Sequence, residues 1–307
     1  ISDLDNINTE HEQVILRYEF NATENLRLSA TAYNNEHARS WYKTEGLDLD
    51  GSTDADSLSR VGWGNIINDI NQGNSRDGFT SDQLQSILDG TLDTPVGSID
   101  VRANNREYFS RGVQFGLNLD GDIGASSHSL QAGVRLHRDE EDRLQYDSSY
   151  QQLNGALVLN DVGVLGAAGN RIQEAQALAV HVYDRIEWGN WLITPGLRYE
   201  DIELGRTRFN GGVQRDYRDG RENNVQVLLP GIGASYRVND SLTVLGGVHK
   251  GFATPSNSPG VDEEQAINYE MGFRFSNASI STEAIWFHSD YENLLGVCTA
   301  SSGTDCV

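Results

Sequence analysis

Hydrophobic and polar residues alternate with a period of two along most of this chain. In residues 267–275, Ile267, Tyr269, Met271, Phe273 and Phe275 fall on one side while Asn268, Glu270, Gly272 and Arg274 fall on the other, the pattern of a strand with one apolar face. The same holds for residues 14–20, with Val14, Leu16, Tyr18 and Phe20 opposite Ile15, Arg17 and Glu19. It holds again for residues 26–33, with Leu26, Leu28, Ala30 and Ala32 opposite Arg27, Ser29, Thr31 and Tyr33. Residues 108–119 with 128–137, 177–188 with 191–202, 225–236 with 242–249, and 267–275 with 280–288 read as further hairpins. The pattern predicts about ten amphipathic strands, a number within the range of membrane barrels.

The gaps between these strands alternate in length. Short turns at residues 21–25 and 121–127, at Gly189-Asn190 and at Asn239-Asp240 take turns with long polar connections at residues 36–107, 138–173, 205–224 and 250–266 and from 291 onward. A soluble sandwich has no reason to lengthen every second loop. An up-and-down outer-membrane barrel does, because its periplasmic turns are tight and its extracellular loops large. Phe20, Trp188, Trp191, Tyr236 and Phe275 gather beside short turns, as an interfacial girdle requires. Arg17, Arg135, Arg185, Arg198, Glu270 and Arg274 sit on the polar faces, where they suit a wet or plugged lumen. The expected fold is all-β: an antiparallel up-and-down transmembrane β-barrel with long extracellular loops.

Composition alters this picture little. Hydrophobic residues make up 37% of the 307 positions, and mean hydropathy is −0.50, but a barrel hides its apolar residues in alternate positions. No apolar run is long enough for a transmembrane helix. The formal charge of −22 excludes nucleic acid as a partner, since phosphate contact needs a basic face. Acidic loops fit a bacterial outer surface, where divalent cations bridge them to anionic lipopolysaccharide, and fit a soluble secreted protein equally. Cys298 and Cys306 lie close together near the C-terminus. They read as a local disulfide of an oxidising compartment or as two free loop thiols, the former being the expectation. The chain opens without a signal peptide and stops soon after a strand, so an internal piece of a longer protein is expected.

Candidate chemistry is sparse. No nucleophile elbow, zinc-protease, Walker or dinucleotide motif occurs, and the seven histidines are scattered, so no enzyme and no cofactor are expected. Asp48, Asp50, Asp54 and Asp56 imitate a calcium loop, but Gly51 comes too early and no closing Glu follows; a solvated loop is the better reading. Residues 138–143 (RDEEDR) read as a salt-bridge lattice. Thr80-Ser81-Asp82-Gln83 before Leu84, Ile87 and Leu88 reads as a short capped helix inside the longest loop, either part of a lid or a device that compacts the loop. Arg39, Arg102 and Arg106 sit at the outer ends of consecutive strands, hence together at a barrel mouth, where forked guanidinium groups suit capture of a carboxylate-rich anion. Structural pairing with loop acids is the competing reading.

These segments carry a resemblance. Residues 31–34 (TAYN), 39–43 (RSWYK), 101–112 (VRANNREYFSRG), 133–145 (GVRLHRDEEDRLQ), 229–231 (LPG), 249–255 and 260–262 are similar to the barrel of TonB-dependent outer-membrane receptors, and more narrowly to the ferric citrate transporter group. The resemblance covers nearly the whole of residues 1–307. It implies a bacterial outer-membrane barrel of about 22 strands closed by an N-terminal plug, importing an iron chelate with energy from the TonB complex through that plug. The chain is then a partial barrel, with plug and C-terminal strands absent. Ferric citrate is anionic, so the resemblance points to Arg39, Arg102, Arg106 and Arg138 as ligand-binding residues. Trp41, Tyr42 and Trp63 leave an aromatic-recognised siderophore open, and a passive porin or adhesin would follow if the complete gene encoded no plug.

Overall fold

The computed structural model describes residues 4–49 and 61–294. Its elements are β1 (Asn6–Asn21), β2 (Leu26–Leu47), α1 (Trp63–Gln72), α2 (Ser81–Leu88), β3 (Ile99–Ile123), β4 (Ser126–Leu153), β5 (Ala156–Val162), β6 (Gly169–Trp188), β7 (Trp191–Phe209), β8 (Tyr217–Arg237), β9 (Leu242–Ala253), β10 (Glu264–Ser276) and β11 (Ser281–Glu292). They form one antiparallel sheet in the order β1-β2-β3-β4-β6-β7-β8-β9-β10-β11. Neighbours in space are neighbours in sequence except at β5, which pairs only with the far end of β4 and closes a local hairpin. The expected meander is therefore present.

Register fixes the two faces, because residues directly opposite one another in an antiparallel pair point the same way. Phe115 of β3 lies between Ala30 of β2 and Val134 of β4, and Val134 pairs with Val180 of β6. The same apolar face continues through Tyr199 of β7 and Leu228 of β8 and through the odd residues of β10. These side chains are exposed: Leu16 is 70% accessible, Phe115 54% and Met271 57%. The band runs over about seven to nine residues of a strand, as at Val113–Leu119 of β3 and Ile267–Phe275 of β10, roughly 20 Å of membrane thickness at the usual strand tilt, and the aromatic residues at the turn edge extend it toward the full belt of an outer-membrane barrel. The belt has sharp limits. At one edge the face turns polar through Asn34, Arg111, Arg138 and Gln176, register partners across β2, β3, β4 and β6. At the turn edge Trp188 pairs with Trp191, whose ring lies 4.7 Å from that of Tyr236.

The long connections are shorter than expected. β2 and β3 run on to Leu47 and from Ile99, β4 reaches Leu153, and β7 and β8 meet across residues 210–216. Just beyond the apolar belt polar residues occupy both strand faces, as at Asn34, Asn35, Ser110 and Arg111 of β2 and β3, so the periodicity fades while the hydrogen-bonded ladder continues. The buried core of the described residues lies in this extension: Leu47, Leu49, Ile66, Leu84, Ile87, Ile99 and Val101 form one cluster. The expected capped helix is α2, where Thr80 Oγ1 accepts from Gln83 N at 3.3 Å and Gln83 Oε1 accepts from Thr80 N at 2.9 Å. α1 lies where only a loop was expected, because its N-cap, Gly62, makes no side-chain cap bond. Ile66 of α1 and Leu84 and Ile87 of α2 belong to the same buried cluster as Ile99 and Val101, which share a face of β3 with Val113 and Phe115, so the helices lie on the outward side. Of the aspartates that imitate a calcium loop, Asp48 is buried at the edge of this cluster, and Asp50, Asp54 and Asp56 lie outside the described residues, as do Cys298 and Cys306.

Candidate functional site

The opposite, inward face carries arginine where the strands rise past the membrane belt. Arg39 of β2 pairs with Arg106 of β3, Arg106 with Arg143 of β4, Arg143 with Arg171 of β6, and Arg171 with Arg208 of β7. One step nearer the membrane, the next inward row runs through His37, Tyr108, Glu141, Gln173, Arg206 and Arg221. The first row lies about seven residues, roughly 23 Å of strand, beyond Val113 of β3, Leu136 of β4 and Leu178 of β6, where the membrane belt ends.

Such a row is electrostatically costly. The Cβ atoms of opposed residues stand about 5 Å apart, and guanidinium groups held about 5–10 Å from one another repel by roughly 1.5–3 kcal/mol at an effective dielectric of about 20. Burial, followed by neighbouring guanidinium groups, lowers the pKa of Arg143, Arg171 and Arg206 below the usual arginine value. Few acids compensate. Glu141 takes Arg143 at 2.8 Å, Arg106 at 3.2 Å and Arg171 at 3.7 Å, and Asp219 takes Arg208 at 2.7 Å. Arg39 Nε, Arg171 Nε and Arg206 Nε and Nη2 are buried without a hydrogen-bond partner. Chemically, the rows are a set of forked cationic donors fixed by a sheet, suited to an anion with several carboxylate or phosphate groups.

The four ligand-binding candidates, the three arginines expected at the mouth and Arg138, do not form one group. Arg39 and Arg106 are direct neighbours on the inward face. Arg102 shares that face but is locked: Nε and Nη2 donate to Asp147 at 2.8 and 2.9 Å, and Nη1 donates to Glu45 at 2.7 Å. Those carboxylates, above all Asp147, raise its pKa further. Arg138 faces the other way. It sits over the Phe109 ring at 5.6 Å and donates to Glu174 and Glu140 at 2.8 and 3.2 Å on the outward face. Residues 138–143 form the expected lattice, but within a strand, so its charges divide between both faces. Arg143, Arg171, Arg206, Arg208 and Arg221 were missed; they lie where loops were expected, and only register reveals that they align.

The aromatic residues are similarly sorted. Tyr42 and Trp63 pack against the helical cluster, while Trp41 lies beneath two cations, with Lys43 Nζ 5.3 Å and the Arg39 guanidinium 5.9 Å from its ring centre.

A lipid-facing apolar belt, a polar inner face and extended outer hairpins define the wall of an outer-membrane β-barrel. The chain belongs to the TonB dependent receptor-like β-barrel family, whose model matches residues 3–306. Its location is the bacterial outer membrane, and its family comprises transport receptors rather than enzymes. It is 22% identical over 216 residues to the vitamin B12 transporter BtuB of Vibrio vulnificus (strain CMCP6), spanning 62% of this chain and 35% of that protein. The fold is similar to the ferric citrate transporter FecA, with a TM-score of 0.64 and 17% identity over 94% of this chain and 35% of the other. It is also similar to the siderophore receptor PiuA from Acinetobacter baumannii, with a TM-score of 0.61 and 14% identity over 93% of this chain and 40% of the other. The chain thus spans well under half the length of these relatives.

Proposed function

We propose that the receptor containing this chain imports an anionic ferric chelate, with ferric citrate the best fit, drawing energy from the TonB complex through a plug. The observation that carries this reading is the inward pair Arg39 and Arg106, continued by Arg143 and Arg171 in direct register. Similarity to a ferric citrate transporter fold and to siderophore receptors supports it. An aromatic-recognised chelate is less well supported, because Tyr42 and Trp63 are engaged in the helical cluster. Arg102 and Arg138 are assigned structural pairing instead.

Calorimetry on the complete receptor tests the assignment. Arg39→Ala and Arg106→Ala should each weaken ferric citrate binding by about 1.5–3 kcal/mol, the worth of a hydrogen bond to a charged group. Lys250→Ala, on β9 and outside the rows, should leave it unchanged. Unaltered affinity in both arginine variants overturns the assignment.

A further inference from the structure

Glu141 is the carboxylate on which the arginine rows converge. Its Oε1 lies 2.8 Å from Arg143 Nη2 and 3.7 Å from Arg171 Nη2, and its Oε2 lies 3.2 Å from Arg106 Nη1. These three arginines come from three adjacent strands, β3, β4 and β6, and are one another's register partners. A single carboxylate, one step nearer the membrane than the row itself, therefore bridges three of its arginines and uses both oxygens, as a ligand carboxylate would. It does not satisfy the row. Arg171 Nε has no hydrogen-bond partner, and neither does Arg39 Nε at the row's end. Like-charge repulsion makes some anion necessary there, yet one formal charge shared among three guanidinium groups leaves a net excess of two positive charges at the centre.

We propose that Glu141 is a tethered stand-in for a ligand carboxylate: it holds the arginine row together until a polyanion arrives, then competes with that polyanion and so sets its affinity and release. The proposal rests on the reading of the inward rows as the ligand site. It specifies the ligand class as an anion bearing at least two separated carboxylate or phosphate groups. A single carboxylate only replaces Glu141 one for one, whereas a polyanion also engages the under-compensated groups at Arg39 and Arg206. Glu141 also gives a route for release, because its return to Arg106 and Arg171 displaces the ligand from the centre of the row.

The test is Glu141→Gln in the complete receptor, titrated by calorimetry with ferric citrate and, separately, with iron-free tripolyphosphate. Removing the competitor should tighten both by about tenfold, the consequence of one charged interaction of about 1.4 kcal/mol. At low ionic strength the variant should melt earlier than the native receptor, and tripolyphosphate should restore its melting temperature. Glu141→Asp keeps the charge but withdraws it by one methylene, so it should fold normally and tighten binding by a smaller factor. Unchanged or weakened affinity for both ligands in both variants overturns the proposal, with Glu141 then a purely structural counter-ion. If the native receptor does not bind ferric citrate but Glu141→Gln gains tripolyphosphate affinity, the substrate assignment fails and the role of Glu141 stands. If the native receptor binds ferric citrate and neither variant gains, the reverse holds.

Discussion

Tyr33 of β2 reaches across β3 to His137 of β4, its hydroxyl 2.6 Å from the imidazole Nδ1. The residue between them in register is Gly112. Arg135 Nε donates to the same hydroxyl at 3.0 Å and its Nη2 lies 3.2 Å from Nδ1, while Nε2 of the ring is 3.4 Å from Asp139. Two strands thus touch over a third on the inward face because the middle strand has no side chain at the crossing.

Gly112→Ala should break that contact. A Cβ there would stand 2.5 Å from the tyrosine hydroxyl and would also strike the carbonyl oxygen of Leu136, a backbone atom that cannot swing aside. The expected cost is about 1–3 kcal/mol, typical of overpacking. Gly121→Ala on the same strand meets nothing within 4 Å and serves as control. Equal thermal unfolding of the two variants in detergent would show that the crossing does not require glycine.

Arg102 and Arg39 should separate stability from binding. Arg102→Ala removes the guanidinium that bridges Asp147 and Glu45, partly buried at 17% and 22% side-chain accessibility, while Glu45 keeps Lys43 at 2.8 Å; it should lower stability by about 1–2 kcal/mol with ferric citrate affinity unchanged. Arg39→Ala leaves no carboxylate unpaired, and should weaken binding at unaltered stability. Paired melting curves and titrations check both, and the opposite assignment of effects would exchange their roles.

The outer hairpins should loosen in alkali. Tyr42 donates to or accepts from Tyr146 at 2.5 Å, and that hydrogen bond, followed by burial and the neighbouring phenols, pushes its pKa from 10.0 up to about 12. Because the folded form holds this proton more tightly than the unfolded form, the contribution is fully present below pH 10.0 and is lost as pH rises to about 12. Phenolate absorbance should therefore rise together with loss of protection at α1 and α2 in hydrogen exchange. Tyr146→Phe should lower the pH at which this occurs. An unchanged profile in that variant would remove the pair as the cause.

Facing was legible from sequence because alternation within one strand assigns sides without knowledge of its neighbours: the division of 267–275 into Tyr269 and Met271 against Asn268 and Glu270 holds in the sheet. Alignment between strands was not legible. Arg102 and Arg106 occupy the same strand and face, yet one meets Asp147 and the other the row of Arg39 and Arg143, and that difference is made by register with β4. The arginine rows lie where polar residues occupy both faces, so the period-two signal vanishes although the strand persists. Arg138 was misplaced for the same reason, its face being fixed only by continuity of the strand from Leu136, one apolar step below. α2 announced itself through Thr80 and Gln83, whereas α1, entered from Gly62, carried no such mark.

Substitution of neighbouring β4 residues that face opposite ways tests the membrane orientation. Val134 lies in the outward band between Phe115 and Val180, whereas Gln131 faces inward beside Asn118 and Tyr183. Val134→Arg places a guanidinium in hydrocarbon and should cost about 2–4 kcal/mol, the penalty near the bilayer midplane. Gln131→Arg places it in the lumen and should stay within about 0.5 kcal/mol. Denaturant unfolding from lipid vesicles measures both, with the same receptor in detergent micelles as a comparison in which the Val134 penalty should shrink. Equal costs, or a larger cost for Gln131→Arg, would mean that the apolar face is not the one turned toward lipid, and the inward placement of Arg39 and Arg106 would fall with it.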